Sequence, residues 1–130
     1  MYTVEIQPYG YHHRISGRVT AAEIKAATES SKHLLSTGPK NFGVLVDMRG
    51  FKVMLPEEQR LATEIMALYK KMGMSCSVVI LDNAIATLQL KRLAKESGID
   101  RWECYIDSSV DPNWEAKALA WLTDGAEPAS

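Results

Sequence analysis

The stretch FGVLVDMRGFKVMLPEEQRLATEIMALYKKMGMSCSVVIL, residues 42–81, decides the fold. It opens with a continuous apolar run, residues 42–48, of the kind that forms a strand covered on both faces. Residues 49–55 form a loop. Pro56 suits the first helical position, where no amide proton is needed, and Glu57 and Glu58 follow at the positive end of the helix dipole. Leu61, Ile65, Leu68 and Met72 share one stripe, which marks an amphipathic helix ending at Gly73. Residues 75–81 are a second apolar run. A strand, a long helix and a strand in this order make a parallel βαβ unit with a right-handed crossover.

Upstream, YTVEIQ (2–7) alternates apolar and polar residues with period two, as a half-buried strand does. Pro8, Tyr9 and Gly10 form a turn, and alternation resumes with Tyr11, His13 and Ile15 on one face. The two strands are expected to pair as an antiparallel hairpin. Thr20 and Glu23 then form a capping box. The helix they open carries Ile24, Ala27, Ser31 and Leu34 or Leu35 on its inner stripe. Thr37, Gly38 and Pro39 stop it, with Gly38 expected in the left-handed cap position.

Downstream, Asp82 and Asn83 are placed to cap a third helix with Ala86, Leu90 and Leu93 on its stripe, ended by Gly98. Residues 102–106 read as a last short strand. Asp111 as N-cap and Pro112 at the first position open a final helix that buries Trp114, Ala118 and Trp121 or Leu122. The order is β-β-α-β-α-β-α-β-α, an α/β chain with parallel strands joined by crossovers. Residues 1–124 form one domain, and the small polar tail 125–130 is expected to fray.

Composition narrows the function. Hydrophobic residues are 46% and charged residues 24%, a soluble globular balance. Lys and Arg number 15 against 16 for Asp and Glu, so a nucleic-acid partner is not expected. No apolar run spans a bilayer and no secretory leader is visible, which points to the cytoplasm. Cys76 and Cys104 read as small buried hydrophobes of a reduced compartment. His12 and His13 are neighbours in a strand and face opposite ways, so they do not chelate one metal. No nucleophile–base spacing or phosphate-binding loop is present, and the chain calls for no cofactor and no enzymatic role.

Three segments carry a family resemblance. ISGRVTAAEI (15–24), VLVDMRGFKVM (44–54) and the Ala-Trp-Leu ending of the last helix (120–122) resemble STAS domains, the superfamily of bacterial anti-sigma-factor antagonists, and look most like its small SpoIIAA-like branch. The likeness runs roughly over residues 2–122. It implies a mostly parallel, mixed five-stranded sheet wound as a (βα)4 superhelix. It also implies work through protein contacts or small-ligand binding, without a common catalytic activity. The family's phosphorylatable Asp-Ser-Ser-Gly is replaced here by Leu55-Pro56-Glu57-Glu58, which has no hydroxyl, so no serine switch is expected. Asp107-Ser108-Ser109 follows the wrong strand and reads as a turn.

In open α/β sheets, ligands gather beyond the carboxyl ends of the strands. That edge carries Thr20, Asp47, Arg49, Gly50, Lys52, Pro56, Glu57, Asp82, Asn83 and Ser108. The expected site is made of Asp47, Arg49, Gly50, Lys52, Pro56, Glu57, Asp82 and Asn83, with Asp47 bracing the loop. Two occupants are open. One is a protein partner, or a second copy, seated on loop 49–55 and the second helix. The other is a lipid or amphipathic anion with its head at Arg49 and Lys52. One-handed crossovers are expected to put the helices on one sheet face. The two-sided apolar strands then require cover from the hairpin, a partner chain or an apolar ligand.

Overall fold

The computed structural model describes residues 1–125; residues 126–130, most of the expected frayed tail, lie outside them. Five strands and four helices follow in the expected order. They are β1 (Tyr2–Gln7), β2 (Gly10–Ile15), α1 (Ala21–Thr37), β3 (Phe42–Asp47), α2 (Pro56–Met72), β4 (Met74–Leu81), α3 (Ala84–Ser97), β5 (Glu103–Asp107) and α4 (Trp114–Asp124). The sheet order is β1-β2-β3-β4-β5. β1 runs antiparallel to β2, and every later pair is parallel.

Each βαβ crossover advances one strand in the same direction. A single hand therefore puts α1, α2 and α3 on one face. Their inner stripes meet the odd-numbered side chains of β2, Tyr11, His13 and Ile15, together with Val44, Val46 and Val79. On α2 the buried apolar positions are Leu61, Ala62, Ile65 and Tyr69, and the expected Leu68 and Met72 pack half-buried against the same core.

α4 departs from the one-face expectation. It packs on the opposite face, where Ala118, Trp114, Trp121 and Leu122 meet Leu45, Val78, Ile80 and Ile106. Among the described residues no strand follows the edge strand β5, so the crossover rule no longer dictates a side. The cover that the two-sided strands require thus comes from the chain itself. Trp121 Nε1 donates to Ser77 O at 2.9 Å and pins the helix down.

Three local expectations change as well. Gly38 is extended, with φ −92°, and a side chain there would overlap the Tyr11 hydroxyl; it is small to admit that phenol. The N-cap of α4 is Asn113, and Asp111 instead accepts the Asn113 amide at 3.0 Å and Lys117 Nζ at 2.6 Å. Cys76 and Cys104 are half-buried rather than core.

Candidate functional site

Loop 49–55 is braced by its own backbone. Gly17 N donates to Gly50 O at 3.0 Å, and Lys52 N donates to Gly17 O at 3.1 Å, making a short parallel bridge between Gly17 and Phe51. Gly50 has φ +76°, a conformation glycine adopts without strain, and its amide donates to both carboxylate oxygens of Asp82, at 3.0 and 3.2 Å. Asp82 therefore holds the loop, while Asn83 alone caps α3 by accepting the Ile85 and Ala86 amides.

Asp47 is only 3% exposed and stands on the α4 face at the end of β3. It accepts Arg14 Nη1 at 2.7 Å, Arg49 Nη2 at 2.8 Å, Arg49 Nε at 3.0 Å and the Arg49 amide at 3.2 Å. Burial pushes its carboxyl up, but the hydrogen bonds from Arg49 and the charges of Arg49 and Arg14 prevail and leave it below the usual range. The Arg49 guanidinium lies 4.4 Å from the centroid of the Trp114 ring. Arg49 is thus engaged by Asp47 and α4, and Lys52 stands exposed without joining it.

Pro56 occupies the first position of α2 as expected. Glu57 turns outward and pairs with Arg60 at 2.7 Å, so it leaves the loop cluster. Its neighbour Glu58 turns inward. It accepts Arg18 Nη1 at 2.5 Å and the Leu55 amide at 3.0 Å, which caps α2 although Leu55 offers no side-chain cap. Arg18 did not stand out in the sequence; the signal was the i, i+3 relation of Leu55 and Glu58, which leaves a buried carboxylate needing a cation. Thr20 keeps its capping box with Glu23, and Ser108 is absorbed by Leu81 O.

Beside this braced loop lies exposed apolar surface. Gln89 of α3 clasps the loop, accepting the Met54 amide at 2.9 Å and donating to Met54 O at 3.1 Å. That clasp ties Met54, which Val53 and Leu55 flank, to α3. There Ile85, one turn before Gln89, and Leu88 are 67% and 70% exposed. Val53 and Leu55 are exposed too.

A second feature lies inside the molecule. Between the sheet and helices α1–α3 runs a narrow cavity of about 70 Å³. His13 borders it, with Nδ1 2.8 Å from the Tyr2 hydroxyl and Nε2 2.8 Å from the Tyr69 hydroxyl, which lies 2.7 Å from Ser31 Oγ. Burial, with a smaller contribution from His12, pulls the His13 pKa down to about 3, so the ring is neutral. At the other end Glu103 is half-buried as a residue, but its Oε2 is enclosed. Burial pushes its pKa up to about 8 against the opposing influence of the Tyr105 and Ser77 hydroxyls. The sequence puts His13 on one face of its strand with Tyr11 and Ile15 but does not single out Tyr69 or Glu103; Tyr69 continues the i, i+4 run Leu61, Ile65, which is the available sign.

No helix among the described residues is long and apolar enough to cross a membrane. Compared with protein-family models, curated proteins and solved structures, the chain matches none.

Proposed function

We propose that the chain is a non-enzymatic, STAS-like binding module that engages a protein partner through loop 49–55, the start of α2 and the outer turn of α3. The observation that carries this reading is the exposure of four large apolar side chains, Val53, Leu55, Ile85 and Leu88, on two segments that the clasp of Gln89 on Met54 joins. Large apolar side chains exposed on a braced scaffold suit a protein interface. The strand and helix order, the (βα)4 winding and the resemblance of segments 15–24 and 44–54 support the STAS assignment. With no hydroxyl at residues 55–58, binding is constitutive rather than switched by serine phosphorylation. The lipid or amphipathic-anion alternative finds its main cation, Arg49, already hydrogen-bonded to Asp47 and lying over Trp114.

Affinity capture from cell extract tests the reading when wild type, Leu88→Glu and Ile6→Glu are run together. Ile6 is equally exposed but sits on the edge strand β1. A partner kept by wild type and Ile6→Glu and lost by Leu88→Glu supports the proposal. A partner indifferent to Leu88→Glu refutes it. Concentration-dependent sedimentation identifies the partner as a second copy.

A further inference from the structure

One edge of the sheet carries a row of backbone groups that no described residue pairs with. Met1 and Ser16 exchange two hydrogen bonds, Met1 N donating to Ser16 O at 2.9 Å and Ser16 N to Met1 O at 3.0 Å. That fixes the phase of the antiparallel β1–β2 ladder, whose register runs without a shift from Tyr2 opposite Ile15 to Gln7 opposite Gly10. Thr3, Glu5 and Gln7 therefore turn their amides and carbonyls toward β2. Tyr2, Val4 and Ile6 turn theirs outward, beyond the first strand of the sheet order. The opposite edge is partly closed by its own turn. On β5 the outward groups belong to Glu103, Tyr105 and Asp107, and the Asp107 carbonyl accepts the Val110 and Asp111 amides at 3.3 and 3.1 Å. β1 has no proline, lysine or bulge to blunt it. Its side chains Tyr2 and Val4 are half-buried on the α1 face, and Ile6 on that face is 68% exposed.

Such an edge takes an extended strand, and β1 is complementary to itself. A two-fold axis at Val4 sets Val4 opposite the partner's Val4, Tyr2 opposite the partner's Ile6 and Thr3 opposite the partner's Glu5. Every outward amide and carbonyl of Tyr2, Val4 and Ile6 is then used, in six hydrogen bonds. Other registers satisfy fewer. Centred on Glu5 or on Ile6, the pairing puts Tyr2 or Val4 opposite the partner's Pro8, which has no amide proton. The Glu5 centre also opposes two carboxylates directly. In the Val4 register each Glu5 instead meets the partner's Thr3, and the exposed Ile6 is covered by the partner's Tyr2. The contact is isologous, so it closes at two copies. We propose that the β1 edge is a homodimer interface, through which two copies join antiparallel into one continuous sheet of two five-stranded halves. A single strand pair is a small contact, so the dimer is a weak one. It uses none of the residues of the loop surface.

The test is sedimentation of the full chain over a dilution series, with amide hydrogen exchange read at its two ends. The chain is expected to pass from monomer to dimer as concentration rises. The Val4 and Ile6 amides, open in the monomer, are expected to slow in the dimer, while Thr3 and Glu5, already paired with β2, change little. Ile6→Pro removes two of the six hydrogen bonds and none between β1 and β2, and should weaken the dimer about tenfold or more. Thr3→Lys sets a cation opposite the partner's Glu5 and should tighten the dimer about two- to tenfold, and Thr3→Glu should weaken it. Thermal unfolding of each variant confirms that it is folded. Leu88→Glu should leave the dimer intact. A monomer at every concentration overturns the proposal. So does a dimer that Thr3→Glu tightens, or one that Leu88→Glu abolishes and Ile6→Pro spares, which would belong to the loop surface. Capture of a protein partner depends on Leu88 and not on Ile6, so the edge and the loop surface fail separately.

Discussion

The Tyr69 hydroxyl of α2 lies 2.8 Å from His13 Nε2 of β2, in the middle of a buried chain that runs from Tyr2 through His13 and Tyr69 to Ser31. A neutral imidazole has one donor and one acceptor, so it satisfies both phenols at once. The chain ties β1, β2, α1 and α2 together at the edge of the cavity. Tyr69→Phe leaves His13 Nε2 and Ser31 Oγ without this partner. Urea unfolding is expected to show a loss of about 1–3 kcal/mol with an unchanged m-value. A loss below a few tenths would mean that the chain does not contribute to holding α2.

His13 and Glu103 give stability opposite slopes with pH. The folded pKa of His13 is lowered from 6.5 to about 3, so its contribution is complete above 6.5 and disappears as pH falls toward 3. The folded pKa of Glu103 is raised from 4.5 to about 8, so its contribution is complete below 4.5 and disappears as pH rises through 8. The limiting slope of each is ~1.4 kcal/mol per pH unit. The two slopes oppose each other between 4.5 and 6.5, and stability there is expected to be flat. Urea midpoints across pH 4–9 check this. Glu103→Gln should abolish the alkaline fall; a fall that persists in that variant assigns it to another group.

Asp47→Asn removes the one carboxylate that Arg14 and Arg49 share. The arginines are partly exposed, so the penalty is smaller than for a fully buried pair. A loss of about 1–3 kcal/mol is expected, together with release of the Arg49 guanidinium from Trp114 and a change in Trp fluorescence. Unchanged stability and emission would show that Asp47 is not the brace of the loop.

Gly73 and Gly50 both have positive φ, but their surroundings differ. A side chain at Gly73 would overlap Lys40 O, whereas nothing lies within 4 Å of one at Gly50. Gly50→Ala is expected to cost about 1–2 kcal/mol from backbone strain. Gly73→Ala should cost clearly more, because the α2–β4 turn must also move. Thermal unfolding of the two variants ranks them, and the reverse order would contradict this packing.

Much of the fold could be read from local chemistry, because its signals are short-range. The Thr20–Glu23 capping box, Pro56 at the start of α2, Gly73 and Gly98 at helix ends and the apolar runs of β3 and β4 each act within a few residues. The side taken by α4 was not readable, since no downstream strand constrains it. The two-sided runs 44–46 and 78–81 announced that cover was needed without saying whose. The site was legible in part. Asp47 as a brace and Asn83 as a cap follow from residue type, but Arg14 reaches Asp47 only through the β2–β3 register, and Gln89 reaches Met54 across 35 residues. Long-range pairing of that kind leaves no mark on either segment alone.

Amide hydrogen exchange on the captured complex tests the central claim most directly. The account predicts slowed exchange on partner binding at residues 52–55 and 84–89, with α4 and β1 unchanged. Protection confined to α4 or β1, with 52–55 and 84–89 exchanging as in the free chain, would contradict it.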